Sequence, residues 1–249
     1  MNKTVMIVWD PRKRPRAEVR SALLERCATA LLEDGVQQLW MSIADDRVGV
    51  ASPNPFPLFE RRMVALVSAF TEDARDVAGP LRVEGFEVAS YHVEQSVYRD
   101  YGDTPDAGRR DWPDGERSPG VTAVSLLERP GRLDHDEWIR RWHGRMSSVS
   151  EEIQPRTRYV RNVVIAPLSP DAPPFEGIVE ECWPSEQHVS SPWLFYGAAN
   201  PWQLVRNMVR IAAAVMHFTT LWRVRTVMMS EYFVVTRDPQ PAPATSSRT

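Results

Sequence analysis

The chain has 249 residues, 43% of them hydrophobic and 25% charged, with a formal net charge of −3. This composition is that of an ordinary globular protein, long enough for one large domain or two of roughly 100 residues each. Apart from PRKRPR at 11–16, which reads as a solvated turn, the basic residues are scattered among acids, so no nucleic-acid footprint is present. No apolar run approaches the roughly 20 residues of a membrane span, and MNKTVMIVWD has no signal-peptide pattern, which predicts a cytoplasmic protein with no membrane contact.

In chain order, TVMIVW reads as a strand. After the turn from Pro11 to Pro15, Val19, Leu23, Cys27 and Ala30 or Leu31 recur at three-to-four spacing and predict a helix from about Arg16 to Asp34, stopped by Gly35. VQQLWMSIAD and RRMVALVSAF are strands on either side of a proline-interrupted loop. TEDARDVAG predicts a short helix with Thr71 as its N-cap, and FEVASYHVEQSVY a fourth strand. From 101 to 119 the composition shifts to Gly, Asp, Arg and Pro, as in a linker.

The second half repeats this order. VTAVSLLE is a strand, and Asp134 with Glu137 forms a D-x-x-E capping arrangement that starts a helix. Trp138, Trp142, Met146, Val149 and Ile153 are that helix's apolar stripe. Strands follow at about 156–165 and 176–183. Asn200 then serves as N-cap and Pro201 as first residue of a helix carrying Leu204, Met208, Ile211, Val215 and Phe218 at helical spacing. RVRTVMMSEYFVV is the last strand, and the tail 237–249 is predicted to be disordered.

Residues 1–100 and 120–236 thus each read as β-α-β-β-α-β, an α+β, ferredoxin-like arrangement with an antiparallel sheet covered by helices on one face. Apolar residues occupy both parities of the strands, Val5, Ile7 and Trp9 against Met6 and Val8, so both sheet faces are predicted to be buried. Packing the two bare sheets together gives a pseudo-two-fold α+β barrel with helices outside. The chain could then be a monomer with an internal barrel, or a homodimer of such units.

LLERPGRLDHDEWIRRWHGRM, RYVRNVV, APPFEGIVEECWP, WLFYGA and SEYFVV, spanning most of 120–235, together resemble the EthD family of the dimeric α+β barrel superfamily. The first half resembles the degenerate N-terminal repeat of tandem EthD-like proteins. The resemblance implies the barrel fold more firmly than any activity, because the superfamily includes cofactor-free monooxygenases, isomerases, cyclases, haem proteins and stress-responsive members.

His143 lies roughly 90° around the helix from the Trp142 stripe, where a half-buried imidazole either takes a proton from a carbon acid or phenol, or is structural. Glu180 and Glu181 are adjacent in a strand, so they point to opposite sheet faces. Each reads either as half of an ion pair with Arg158 or Arg161, or as an acid or base working with His143. Tyr159, Asn162, Tyr196, Glu231 and Tyr232 are candidates to orient a carbonyl or hydroxyl, and Trp142 and Trp183 to wall an apolar pocket.

Cys27 and Cys182 read as reduced core residues, and the dispersed histidines offer no metal-ligand spacing. No nucleotide-binding or hydrolase motif is present. The leading expectation is an enzyme without an organic cofactor that performs cyclase, isomerase or lyase chemistry on a small hydrophobic or aromatic, carbonyl-bearing metabolite. The alternatives are a non-catalytic small-molecule binding or stress-response protein, and a haem protein using His143, His188 or His217.

Overall fold

A computed structural model describes residues 1–54, 61, 63–103 and 108–236. Eight strands, β1 (Asn2–Trp9), β2 (Gln38–Ile43), β3 (Met63–Thr71), β4 (Glu87–Arg99), β5 (Val121–Leu127), β6 (Arg158–Pro167), β7 (Gly177–Trp183) and β8 (Arg225–Val235), close into one barrel. Their order is β1-β3-β2-β8-β5-β7-β6-β4, and every neighbouring pair is antiparallel. Within the first half the order runs β4-β1-β3-β2, and within the second β8-β5-β7-β6, so corresponding strands hold corresponding places. The halves join at two seams, β2 with β8 and β4 with β6, which leaves no free sheet edge.

Two long helices lie outside. The first, α1, is helical over Arg16–Ser21 and Ala28–Glu33 with a π-helical stretch, Ala22–Cys27, between them. A short helix α2 spans Gly79–Val83. The second long helix, α3, runs through His135–Ile139, a π-helical Arg140–Met146 and Ser147–Ile153. Asp134 caps it by accepting from Glu137 N at 2.8 Å. Short helices α4 (Glu186–Ser190) and α5 (Pro192–Phe195) lead to α6 (Pro201–Phe218), where Asn200 accepts from Gln203 N at 2.9 Å and Pro201 opens the first turn.

The sheet has a core on each side, which is why its strands are apolar at both parities. All of β5 is buried, and β1 is buried from Lys3 to Trp9. Met6, Val8, Met41, Val67 and Leu39 face outward beneath Val19, Leu23, Cys27 and Leu31 of α1. Val5, Ile7, Leu66, Ala89, Tyr91, Val124, Leu126, Ile178 and Met229 come from strands all round the sheet and meet inside the barrel. Beneath α3, Leu127, Tyr159, Val163 and Val179 pack against Trp138 and Trp142. Both cysteines are free and buried.

Two local expectations need correction. Residues 72–78 are not helical: Thr71 ends β3 and donates to Asp73 O at 2.8 Å instead of capping a helix. Asp76 accepts from Ala78 N at 3.0 Å in a turn, and the helix begins only where Pro80 occupies its first turn. In α6 the buried stripe is Asn207, Ile211, Ala214 and Phe218, whereas Met208 is exposed. Within the linker expected over 101–119, residues 115–118 run along β8, with Gly115 N donating to Phe233 O at 2.7 Å and Ser118 N to Glu231 O at 2.8 Å. The tail 237–249 lies outside the described residues. No described helix is long and apolar enough to cross a membrane.

Candidate functional site

Strand alternation sorts the predicted site residues onto two sides of the sheet. Asn162, Glu180 and Glu231 point into the barrel, and Glu181, Tyr159 and Tyr232 point out. Trp142 and His143, on α3, belong to the outer side of the second half. Trp183 faces outward under α5, stacked on Phe195 at 4.7 Å, with Tyr196 against that ring at 5.0 Å. Tyr232 belongs to the core under α1 and donates to Asp45 Oδ2 at 2.6 Å. The predicted set is therefore several neighbourhoods.

The inner neighbourhood is a closed polar network. Lys3 Nζ donates to Gln95 Oε1 at 2.7 Å and Asn162 Oδ1 at 2.9 Å, and pairs with Glu180 at 3.4 Å across the barrel. Asn162 Nδ2 donates to Glu180 Oε1 at 3.2 Å. Arg158 pairs with Glu231 at 2.9 Å, and Tyr101 OH donates to the same carboxylate at 2.8 Å. Burial opposes the charge on Glu180, but the Lys3 ammonium and the Arg158 guanidinium outweigh it and hold the carboxyl below its ordinary range. Burial also pushes Lys3 down to about 8 against the pull of Glu180. Burial drives the Cys182 thiol well above its usual value. Glu180 is thus ionised, and both it and Glu231 are fully engaged, as structural ion pairs are.

The outer neighbourhood, between α3 and β6–β7, is less complete. Gly177 lets the rings of Trp138 and Trp142 rest on the strand, because a Cβ there would meet Trp142 at 2.8 Å and Trp138 at 3.0 Å. The His143 ring sits 4.9 Å from Trp142, edge to face. Arg161 reaches up from β6 to Ser147 Oγ at 3.0 Å and Ser96 Oγ at 3.1 Å. The Tyr159 hydroxyl lies 3.3 Å from Ser147 Oγ, and burial raises its pKa. Arg156 lies over the Tyr159 ring at 4.0 Å and pairs with Glu181 and, at 2.7 Å, with Glu151.

Four buried nitrogens here make no hydrogen bond among the described residues: Trp138 Nε1, His143 Nε2, Arg156 Nε and Arg161 Nε. Burial first, and then the Arg161 charge, push His143 down to about 4. The imidazole is therefore neutral at pH 7 with an unbonded ring nitrogen. The structure corrects the pairing of His143 with Glu180, which lies on the opposite face of the sheet. Glu181 shares the His143 face but belongs to Arg156, not to Arg158 or Arg161.

Sequence reasoning missed Lys3, Arg156, Ser147 and Tyr101 as members of these networks. Lys3 carried a signal: it is a lysine in phase with Val5 and Ile7 in an otherwise apolar strand. Among the remaining histidines, His188 is bonded to Ser185 Oγ at 2.9 Å through Nδ1. No group of three or more His, Cys, Asp or Glu among the described residues could hold a metal ion. Two surface clefts, of 520 Å³ beside Arg117 and Glu186 and of 390 Å³ beside Trp9 and Asp171, contain none of the predicted site residues.

The chain matches no protein-family model and no curated protein sequence. Among solved structures it is similar to an "anthrone oxidase-like protein", with 11% identity and a TM-score of 0.52 over 96% of both chains. It also matches a "putative monooxygenase" of Lactobacillus acidophilus NCFM, with 11% identity and a TM-score of 0.44 over 94% of both chains. A third, so named from Fusobacterium nucleatum subsp. nucleatum, gives 7% identity and a TM-score of 0.47 over 94% of this chain and 93% of that one. At such identity the first of these likenesses is one of fold, and the fold it shares is the α+β barrel.

Proposed function

We propose that this is a tandem EthD-like protein and a small-molecule enzyme, which takes a hydrophobic, carbonyl-bearing metabolite between α3 and the outer face of β6–β7 and uses His143 to remove its proton. Duplication of a ferredoxin-like unit is supported by the matching strand orders and by the π-helical stretch that each long helix carries. β1 and α1 begin at Asn2 and Arg16, β5 and α3 at Val121 and His135, the same interval apart. On that register Val19, Leu23 and Cys27 stand where Trp138, Trp142 and Met146 do. At these three positions α1 carries a valine, a leucine and a cysteine, and α3 two tryptophans and a methionine.

One observation carries the reading: a neutral His143 with a buried, unbonded Nε2, close enough to Arg161 to feel its charge. Buried unsatisfied nitrogens are costly, and π-helical turns inside α-helices concentrate at functional sites. With its proton on Nδ1, the imidazole can accept a proton at Nε2 from a carbon next to a carbonyl. The C–H bond breaks, its electron pair moves onto the carbonyl oxygen, and Arg161 stabilises the resulting enolate. The burial that suppresses imidazolium is offset once an anion forms beside it. Return of the proton from His143 to another carbon gives an isomerase; attack of the enolate carbon on a second carbonyl of the same molecule, whose oxygen takes that proton, gives a cyclase; and expulsion of a β-substituent, which leaves with the electron pair and that proton, gives a lyase. None of these steps involves an organic cofactor.

Anthrone, a carbonyl-activated carbon acid suggested by the name of the similar structure, is a suitable first substrate. Deuterium uptake at its methylene from heavy water, followed by NMR against a protein-free control, reads the proton-transfer step directly. The expected result is acceleration by the wild type and a loss of about 100-fold or more in His143→Ala. Unchanged turnover in that variant would remove His143 from the role. A series of carbon acids bound but returned unexchanged would make the protein a binder, and a Soret band gained with haem and lost in His143→Ala would make the pocket a haem site.

A further inference from the structure

The helix α6 is apolar on two opposite faces. Its inner seam is Asn207, Ile211, Ala214 and Phe218, all buried. Its outer seam is Trp202, Val205, Val209, Ala212 and Met216, all exposed and spaced three, four, three, four. At about 100° per residue the two seams lie roughly 160° apart. The outer one has the a/d periodicity of a helix that packs along another helix. No acidic residue occurs anywhere in α6; its Arg206, Arg210 and His217 form one flank, and Arg210 is held by Glu152. A helix with apolar stripes on both sides is one covered on both sides.

We propose that the outer seam of α6 is a self-association surface on which a second copy of this chain packs α6 against α6 antiparallel, about a two-fold axis at Val209. Such an axis sets Trp202 of one copy against Met216 of the other and Val205 against Ala213, with Val209 facing its own counterpart. Large side chains meet small or flexible ones along the seam, and the sulfur–aromatic contact is made twice. Arg206 falls opposite Ala212, so its long side chain has room, and the two Arg206 side chains are offset from each other by about 9 Å along the helix.

The exposed area is sufficient. Trp202, Val205, Val209 and Met216 are 76%, 55%, 61% and 59% exposed. At about 200 Å² for a whole large side chain, these leave roughly 500 Å² of apolar surface, at the upper end of what monomers expose in one patch, and two copies together reach about 1,000 Å², the size a specific interface needs. The internal barrel already satisfies both sheets, so this contact adds to the fold without completing it.

Light scattering behind size exclusion tests the proposal on the full chain. The wild type is expected at twice the 28.4 kDa chain mass, and Val209→Glu at that mass, with an unchanged circular dichroism spectrum. Val209→Cys is expected to form a disulfide-linked dimer on mild oxidation, because only this position faces itself; Met216→Cys is expected not to. A wild-type monomer, a dimer untouched by Val209→Glu, or cross-linking at Met216→Cys in preference to Val209→Cys would overturn it. So would a monomeric wild type that floats with anionic phospholipid vesicles, which would make the seam a membrane-facing surface.

Discussion

His143 is the residue whose environment departs furthest from what its type prefers. A solvent-exposed imidazole would be partly protonated near pH 6.5, yet burial and then the Arg161 charge bring this one down to about 4. The unfolded chain therefore takes up a proton between these values that the folded chain refuses, and stability falls as pH drops from 6.5 toward 4. The full shift discounted for the partial exposure of the ring corresponds to about 1–2 kcal/mol. His143→Leu should lose less stability over that window than the wild type, by this difference, in urea titrations at pH 7 and pH 4. Carboxylates such as Glu180 titrate in both proteins and cancel from the comparison. Equal acid losses would mean that the imidazole is already solvated.

At the scale of elements, the contact of α3 with β7 depends on a missing side chain. Gly177→Ala drives a methyl group into Trp142 at 2.8 Å and Trp138 at 3.0 Å, where both rings are fully buried. Overpacking of this kind costs about 1–3 kcal/mol. Gly144, in the π-helical turn of α3, has nothing within 4 Å of an added Cβ, so Gly144→Ala should stabilise by about 0.5–1 kcal/mol. Thermal or urea denaturation of the two variants should move in opposite directions; a shared direction would contradict the packing described for α3.

The same two elements show what could be read from the sequence. Asp134, Asn200 and Pro201 announce helix starts through local chemistry, and alternate strand positions apolar on both sides announce a sheet buried on both faces. Such signals survive because they depend only on neighbours in the chain. The side of the sheet on which Glu180 and Glu181 fall depends on strand register across the barrel, and the partner of Glu180, Lys3, is 177 residues away. The turn at 72–78 departs from the expected helix for a related reason: its acidic residues look like a helix start, but Asp76 spends its carboxylate on Ala78 N and Ser90 Oγ instead. In α6 the expected stripe holds at Ile211 and Phe218, but Asn207 and Ala214 are buried where Met208 and Val215 are expected, because that helix has apolar residues on both faces and periodicity alone does not distinguish them.

For the whole molecule, the charges inside the barrel decide which sheets pair. The first half contributes Lys3 to the inner network, and the second contributes Arg158, Glu180 and Glu231. Only the pairing of one half with the other balances these charges. Two first halves closed into a barrel would bury two ammonium groups without a carboxylate, and two second halves would bury an excess of carboxylates. Leaving a buried charge unpartnered costs about 3–5 kcal/mol, a large share of a domain's stability, so the network acts against self-pairing of either half. The fragments 1–103 and 108–236 should accordingly fail to give native-like amide NMR spectra alone, and should together reproduce the spectrum of the intact chain in a one-to-one complex. Self-association of 108–236 through α6 would not by itself restore that spectrum, because β5–β8 would still lack β1–β4 at both seams. A first-half fragment that folds as a symmetric dimer would show that apolar closure outweighs the buried Lys3 pair, and that the inner charges do not choose the partner.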